Sequence, residues 1–416
     1  MATLRTATPR GTGGHPRGRR TAILAPLGVV ACVLSACSLF ATPRPAPVDD
    51  PSMAPPGAVG YVVCPTAVTP VELATDTAEA PIELPISGSP VLGDFAIATS
   101  PDGQWAFVVT SDGVAPSSPA SSTTVPPATA GTASTTSTAP VVPGAEPVQN
   151  VVIPIDLATQ QAESPIPIPG VGGTHAIVVL PDGRTVLAAS GNSIVPIDAA
   201  TRQVGTPLDL GAGRTIFGMA LDPTDATLYA LVAGAVIPVN TSNATAGAPI
   251  PTGLSVSSVY SPNGIVVTGN GTTVYVVGQG GTDFGGRVLP IAASTGTTGP
   301  ATGFDRFGIA DPAAVAVTTD GSSLLVADAA NNWVNPVPLS SFSNPPDPVR
   351  LPERSTDAVT AGTQHPTDIV VGPGQTGAFL VDGFDAVIPY APAPETFGEP
   401  IPVCSGASSM AVADSP

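Results

Sequence analysis

Six polar side chains that could bind or transform a ligand stand just ahead of short apolar runs. They are Asp94, His175, Arg214, Tyr260, Asp311 and His365. Carboxylates and imidazoles can act as general acids and bases, and arginine binds anions. If the apolar runs are neighbouring strands, these side chains would line one polar pocket for a small ligand or a partner's loop. Alternatively, the histidines of "THAIVV" and "HPTDIVV" satisfy backbone groups where strands begin.

Composition indicates that strands position these residues. The 416 residues include 51 Pro and 45 Gly, and both residue types break helices. Hydrophobic residues make up 43% of the chain, which is ample for a core. We therefore predict an all-β fold with many turns.

Charge and motifs exclude several functions. The net charge is −18 and all 13 basic residues are Arg, so little would neutralise phosphates and we expect no nucleic-acid partner. The absence of Lys removes Schiff-base chemistry. No CxxC, HExxH, GxSxG or DxDxDG stretch occurs, and "GQGGTDFGG" has no helix after it to bind phosphate. We predict no cofactor, no metal site and no catalytic set.

One phrase recurs seven times along the chain, in forms such as "VVIPIDLAT", "SIVPIDAAT" and "RVLPIAAST". Its anchor prolines are Pro70, Pro154, Pro196, Pro238, Pro290, Pro336 and Pro389. They are 84, 42, 42, 52, 46 and 53 residues apart. The long first gap holds a Ser/Thr/Pro-rich segment, residues 114–148, that cannot build a core. Without those 35 residues the gap is 49, so the sequence predicts one repeat interrupted by a disordered insert.

Each repeat also contains a hairpin, except at the two ends of the chain. Six pairs of apolar runs flank turns such as Pro181-Asp182-Gly183 and Asn270-Gly271, which supply the positive φ angles that a hairpin needs. "YVVCPT" at the start has no first strand before it, and "SSMAVADSP" at the end has no second strand after it. Joining these two gives a seventh hairpin. We therefore predict a seven-bladed β-propeller over residues 59–416, closed by pairing of the N- and C-terminal strands.

The phrase "VxPIDxAT…GxPI" together with the PDG hairpin resembles the YVTN-type propeller repeats of bacterial secreted proteins. The resemblance covers residues 60–416 apart from the insert, and it implies architecture more than function. One feature conflicts with it, because the anchor proline falls in the third strand of each blade and cannot donate to a ladder there. We expect either a bulge or a short outer strand that leaves this position unpaired.

The N-terminus carries an export pattern. Residues 1–36 contain five Arg, no acid and the uncharged run "TAILAPLGVVACVLSA", as in a signal peptide. A membrane span is the alternative, but it needs about 20 apolar residues. The segment ends on "LSAC", which resembles the lipobox of bacterial lipoproteins and implies lipidation of Cys37 after cleavage. Residues 37–58 then form a proline-rich tether to the extracytoplasmic face of the bacterial cell membrane.

With Cys32 removed and Cys37 lipidated, two cysteines remain, Cys64 and Cys404. In an exported protein an isolated pair favours a disulfide, with two buried free thiols as the alternative. Both residues follow strands that run in the same direction, so they emerge on one face. The insert leaves from the same face, either as a solvated brush or as a lid.

Two functions are compatible with these patterns. The first is a monomeric, lipid-anchored binding or scaffold module of the cell envelope, without catalysis, whose partner is an envelope protein or a small polar ligand. The second is a hydrolase of sugar lactones, because the sequence is also distantly similar to propeller lactonases. That activity requires an acid/base pair or metal-binding carboxylates at the channel mouth.

Overall fold

The computed structural model describes residues 57–86, 95–112, 149–170, 173, 176–224, 226–255, 264–280, 285–303, 311–343, 346–352, 365–372 and 377–413. The predicted signal peptide, Cys37, nearly all of the tether and the insert 114–148 lie outside these ranges. All described residues belong to one unit, Asp49–Pro416. Within them, no helix is long and apolar enough to cross a membrane, and the single short helical turn is η1 (Leu339–Ser341).

The described strands form seven small antiparallel sheets, which we number as blades 1 to 7. Blade 1 contains β1 (Val59–Val63), β2 (Ala67–Glu72), β3 (Thr77–Ala78), β4 (Ile82–Glu83) and the last strand of the chain, β33 (Ser409–Ala413). Blade 2 contains β5 (Ala96–Thr99), β6 (Trp105–Asp112), β7 (Gln149–Asp156), β8 (Gln161–Ala162) and β9 (Ile166–Ile168). Blade 3 contains β10 (Ile177–Val179), β11 (Thr185–Ser190), β12 (Ser193–Asp198) and β13 (Leu208–Asp209).

The remaining blades repeat this arrangement. Blade 4 contains β14 (Ile216–Leu221), β15 (Thr227–Val232), β16 (Ala235–Asn240), β17 (Thr245–Ala246) and β18 (Ile250–Pro251). Blade 5 contains β19 (Ile265–Val267), β20 (Thr273–Gly280), β21 (Gly285–Ala292), β22 (Thr297–Thr298) and β23 (Thr302–Gly303). Blade 6 contains β24 (Pro312–Val317), β25 (Ser323–Asp328), β26 (Trp333–Pro338) and β27 (Val349–Arg350). Blade 7 contains β28 (Asp368–Val371), β29 (Ala378–Val381), β30 (Ala386–Ala391), β31 (Thr396–Phe397) and β32 (Ile401–Pro402).

The first strands of the seven blades form a closed ring. Each contacts the first strand of the next blade, in the order β33, β5, β10, β14, β19, β24 and β28, which returns to β33. The end of the chain completes blade 1, because β33 pairs with β1 from Val59 opposite Ala413 to Val63 opposite Ser409. The predicted seven-bladed propeller, closed by its N- and C-terminal strands, is confirmed.

Apolar side chains fill the spaces between blades. Between blades 7 and 1, Met410 packs with Phe379, Leu73 and other buried residues. A Cβ atom placed on Gly60 in β1 would lie 2.0 Å from Met410 Cε of the closing strand, so a larger residue at position 60 would require the Met410 side chain to move. The core therefore lies between sheets, and each sheet depends on its neighbours for burial.

The anchor proline lies in the third strand of every blade, and in six blades the outer strand accommodates it with a bulge. In six blades the proline carbonyl accepts a hydrogen bond from the residue nine positions later, as in Glu79 N to Pro70 O at 2.8 Å. In an extended strand a residue's nitrogen and carbonyl face the same side, so the proline nitrogen also faces outward and cannot donate. There the outer strand breaks, and its second piece resumes one residue out of register, as the pairs of Val71 with Ala78 and of Val68 with Ile82 show.

Blade 6 resolves the same conflict differently. Its outer strand β27 pairs only with Trp333 and Val334, so no described outer strand lies opposite Pro336. Leu351 N donates to Asn332 O, which places even-numbered positions of β26 on the outward side. Pro336 and Pro338 both occupy such positions, so the uncovered edge of β26 presents no N–H group there.

Candidate functional site

We call the side of the ring where each first strand begins the front face, and the opposite side the back face. The six predicted pocket residues belong to the connections that enter the first strands on the front face. The structure describes Arg214, Asp311 and His365, whereas Asp94, His175 and Tyr260 lie outside the described residues. The described residues of the predicted pocket therefore lie in two places, Asp311 and His365 at blades 6 and 7 and Arg214 at blade 4.

Asp311 and His365 come together at the backbone of Ala329, which follows the second strand of blade 6. Ala329 N donates to Asp311 O at 2.9 Å. Nδ1 of His365 lies 2.7 Å from Ala329 O. A carbonyl can only accept, so Nδ1 carries the proton of this hydrogen bond. His365 thus links blade 7 to blade 6 through a backbone group, the kind of contact that the sequence offered as the alternative to ligand binding.

A fully buried carboxylate lies next to this contact. Asp328, at the end of β25, is 0% exposed and accepts hydrogen bonds from Asn331 Nδ2 at 2.7 Å and from Ala330 N at 3.0 Å. It also accepts a longer one, 3.3 Å, from Asp311 N. Burial raises the pKa of Asp328, and these hydrogen bonds oppose that rise. The carboxylate therefore orders the turn in which Ala329 lies.

Asp311 itself has one carboxylate oxygen without a donor. Oδ1 is buried and accepts no hydrogen bond from the described part of the chain, although the residue as a whole is partly exposed. An unpaired buried acceptor is costly, so this oxygen is suited to a donor from outside the described part of the chain.

An aromatic side chain borders the same area. Phe384, between β29 and β30, is 38% exposed and is the one exposed large hydrophobic side chain among the described residues. Its ring stacks on that of His365 with centroids 6.5 Å apart. Its carbonyl accepts hydrogen bonds from Gly406 N and Ala407 N, in the connection to β33. Phe384 thus places an apolar surface on the front face beside His365.

Arg214 belongs to a different part of the front face. Its side chain is exposed, and Nη1 donates to Leu210 O at 2.8 Å, four residues earlier. This bond orders the connection between blades 3 and 4. The structure therefore brings together Asp311 and His365, and it places Arg214 in a separate connection.

Two further buried carboxylates were not predicted from the sequence. Asp368, the first residue of β28, is 0% exposed and its Oδ2 accepts from Ser409 Oγ at 3.0 Å and Met410 N at 2.9 Å. Asp382, also 0% exposed, uses Oδ1 to accept from the backbone N–H groups of Phe384, Asp385 and Ala386. For Asp382 the available signal was an aspartate at the end of the apolar run "GAFLVD", as for Asp328 in "SLLVAD", whereas Asp368 begins its strand in "TDIVV" and has no such signal.

The predicted disulfide is confirmed. Cys64 follows β1 and Cys404 follows β32, and their sulfur atoms are bonded with Cα atoms 6.0 Å apart. Thr69 Oγ1 donates to the sulfur of Cys404 at 3.0 Å. The bridge joins blade 7 to blade 1 on the front face, next to the strand that closes the ring.

The front face offers hydrogen-bonding and apolar groups in one area. Asp311 supplies a carboxylate, and Phe384 supplies an exposed ring. Within the described ranges, no group of three or more His, Cys, Asp and Glu residues could hold a metal ion. The described groups suit recognition of a polar partner, and their carboxylates are largely engaged by the chain's own donors.

Comparison with known proteins identifies the fold. No family model matches the chain, and no curated protein matches it. Among solved structures, hydrazine synthase of Kuenenia stuttgartiensis is similar over 78% of this chain and 90% of its own, with a TM-score of 0.57 and 15% identity. A functionally unknown protein from Desulfotomaculum acetoxidans is similar over 86% of this chain and 99% of its own, with a TM-score of 0.53 and 12% identity. At these identities the likeness establishes the propeller fold alone.

Proposed function

We propose that the protein is exported, is anchored to the extracytoplasmic face of the cell membrane by lipid on Cys37, and uses its propeller to bind or scaffold a partner without catalysis. The observation that carries this proposal is the disulfide between Cys64 and Cys404. Disulfides persist in oxidising compartments outside the cytoplasm, so the bridge supports the export pattern of residues 1–36.

The position of the chain's first described strand supports display of the front face. Val59 at the start of β1 lies opposite Glu72 and Ala413, which end β2 and β33. The chain therefore enters the propeller on the back face. A lipid anchor before residue 57 would attach there, leaving the front face on the opposite side of the ring.

The hydrogen bonds of the buried carboxylates favour binding over catalysis. Asp328, Asp368 and Asp382 each accept hydrogen bonds from neighbouring groups of the same chain, and these bonds order turns and join blades. Asp311 and Phe384 have groups that remain for a partner. This distribution fits an envelope protein or a small polar ligand bound at blades 6 and 7.

Anchoring is tested with cysteine variants in cells. The wild type should fractionate with membranes, and its N-terminal peptide should carry acyl groups on Cys37. Cys37→Ser should abolish both, whereas the matched control Cys32→Ser should retain both because Cys32 is removed with the signal peptide. Recovery of unmodified Cys37 within a longer wild-type N-terminus would refute the anchor.

Binding is tested by crosslinking in cells followed by affinity capture. We expect Asp311→Asn with His365→Gln to lose partners that the wild type recovers. Arg184→Ala, which removes an exposed Arg on the back face, should keep them. Equal recovery from all three proteins would exclude the front face as the binding surface. Metal-dependent hydrolysis of lactones by the purified mature protein, lost in Asp311→Asn, would instead establish the hydrolase.

A further inference from the structure

The back face carries four hairpins with the same turn geometry, and at one turn position three of them have aspartate and the fourth has asparagine. The second turn residue is Asp102, Asp182 or Asp320 in blades 2, 3 and 6, and Asn270 in blade 5. The next residue is glycine with φ of 66° to 67° in all four. Each glycine N–H donates to the carbonyl of the residue three positions earlier. Asn270 thus occupies a position at which the fold otherwise uses aspartate.

The hairpins of blades 5 and 6 match in detail. Asp320 Oδ1 accepts from Thr318 Oγ1 at 2.7 Å, Ser322 N at 3.0 Å and Ser322 Oγ at 2.8 Å. Asn270 Oδ1 accepts from Thr268 Oγ1 at 2.7 Å, Thr272 N at 3.1 Å and Thr272 Oγ1 at 2.7 Å. The amide oxygen of Asn270 therefore has the same three donors as a carboxylate oxygen, and these donors fix which end of the amide faces them.

Three donors on one amide oxygen make its carbon a better electrophile. They withdraw charge from Cγ, and they would stabilise the oxyanion formed when a nucleophile adds there. Asn270 is exposed, so water reaches the side chain. Gly271 has no side chain to hinder its backbone nitrogen, which can react once its hydrogen bond to Thr268 O opens. The electrophile and the least hindered backbone nucleophile are therefore adjacent in the chain.

We propose that Asn270–Gly271 is a site of spontaneous deamidation in the folded protein and that its aspartate product fits the hairpin. Gly271 N bonds to Asn270 Cγ, and the bond from Cγ to Nδ2 breaks. The Nδ2 group leaves as ammonia, taking up the proton lost by Gly271 N. Water then opens the resulting five-membered imide at either carbonyl, giving aspartate or isoaspartate. The reaction adds one negative charge to the back face and does not depend on the proposed function.

The fold favours one of the two products. Aspartate at 270 would keep the three hydrogen bonds that Asp320 makes in blade 6. The equivalent bonds at Asp320, first that from Thr318 Oγ1, lower the pKa of that carboxyl, so the hairpin favours the ionised form. Isoaspartate inserts a carbon into the backbone between two residues of a tight turn, which disturbs the bond from Gly271 N to Thr268 O. We expect the folded chain to accumulate aspartate in preference to isoaspartate.

The chain contains a matched control. Asn240 Oδ1 also accepts three hydrogen bonds, from Ser242 N, Ser242 Oγ and Asn243 N, at 2.7 to 3.2 Å. Asn240 is exposed as well, but Thr241, a β-branched residue, follows it. Asn240 therefore retains the polarised amide and loses the unhindered nucleophile.

The test follows both sites by peptide mapping with mass spectrometry. The mature protein is incubated at mildly alkaline pH, both folded and in denaturant. We expect the folded chain to lose the Asn270 peptide to its acid form while the Asn240 peptide stays unchanged. Thr268→Ala with Thr272→Ala should slow the loss in the folded chain and not in denaturant, at a temperature where circular dichroism shows both proteins folded. Asn270→Asp should match or exceed the wild type in Tm.

Three results would overturn the proposal. Asn270 could persist in the folded chain while it converts in denaturant, which would show that the hairpin protects it. The Thr268 and Thr272 variant could convert as fast as the folded wild type, which would exclude polarisation by these donors. A lower Tm for Asn270→Asp would show that the product does not fit.

Discussion

The interface between blades 7 and 1, where the ring closes, differs from the interface between blades 5 and 6 in its treatment of polar groups. At the closure, Asp368 accepts from Ser409 and Met410 of the neighbouring blade, and a disulfide adds a covalent link. Between blades 5 and 6, Asn335 is 0% exposed, and neither Oδ1 nor Nδ2 has a hydrogen-bond partner among the residues that the structure describes. At the closure, polar and covalent links thus join the two ends of the ring, whereas between blades 5 and 6 a buried amide has no partner among the described residues.

The largest expected effect comes from removing the closing strand. Deleting residues 405–416 removes β33, exposes the edge of β1 and takes both Ser409 and Met410 from Asp368. We expect loss of cooperative thermal unfolding, measured by circular dichroism, together with rapid proteolysis. Deleting residues 114–148 should leave the transition intact. A truncated chain with the wild-type Tm would show that the closure is dispensable.

Loss of the disulfide should have the next largest effect. It closes a loop with a sequence separation of 340 residues, so reduction restores much entropy to the unfolded chain. We expect Cys64→Ser with Cys404→Ser to lose about 2 to 5 kcal/mol of unfolding free energy in denaturant titrations. Reductant should lower the stability of the wild type and leave the double variant unchanged. A wild type that is insensitive to reductant would contradict the role of the bridge.

Removal of the buried carboxylate at the closure should have the third largest effect on stability. Asp368→Ala leaves Met410 N and Ser409 Oγ without this acceptor, and we expect a loss of about 2 to 3 kcal/mol in the same titration. Glu83→Ala, an exposed carboxylate in blade 1, should change stability by less than about 0.5 kcal/mol. Equal effects of the two changes would mean that Asp368 does not join the blades.

The smallest expected effect is a gain in unfolding free energy from a substitution at the interface between blades 5 and 6. Asn335→Val removes two unsatisfied polar atoms, and other blades hold Ile or Val at the equivalent position, for example Ile388 and Val195. We expect a gain of about 1 to 2 kcal/mol, seen as a higher denaturant midpoint. The reverse change, Ile388→Asn, should destabilise. A destabilised Asn335→Val would indicate that a residue outside the described ranges hydrogen-bonds to the amide.

The sequence predicted the features that recur in each blade and those in which two unmatched segments or residues form a pair. Asp-Gly turns and alternating runs located the hairpins, and the unmatched ends of the chain indicated the pairing of β1 with β33. Cys64 and Cys404 were a single pair, so their bridge followed from the topology. The repeated proline also showed that the third strand lacks one N–H donor, and in six blades the bulge in the outer strand accommodates this.

The buried carboxylates could not be predicted in this way. Asp368 is buried because Ser409 and Met410, more than 40 residues later, supply donors across the closure. Nothing local to "TDIVV" encodes those partners. Likewise Asp311 and His365 meet through the backbone of Ala329. Every residue type except proline has both of these backbone groups, so the sequence does not indicate which residue will provide the contact. Periodicity finds strands, whereas contacts between blades depend on how the ring places distant segments.

The two prolines on the outward side of β26 also bear on how the protein behaves in a crowded compartment. An uncovered strand edge is a template onto which another chain can add, and repeated addition leads to fibrils. Pro336 and Pro338 provide no N–H donors for such a chain along the part of blade 6 where the described residues form no outer strand. The residue that marks each repeat in the sequence therefore also disfavours addition of a further strand at this edge.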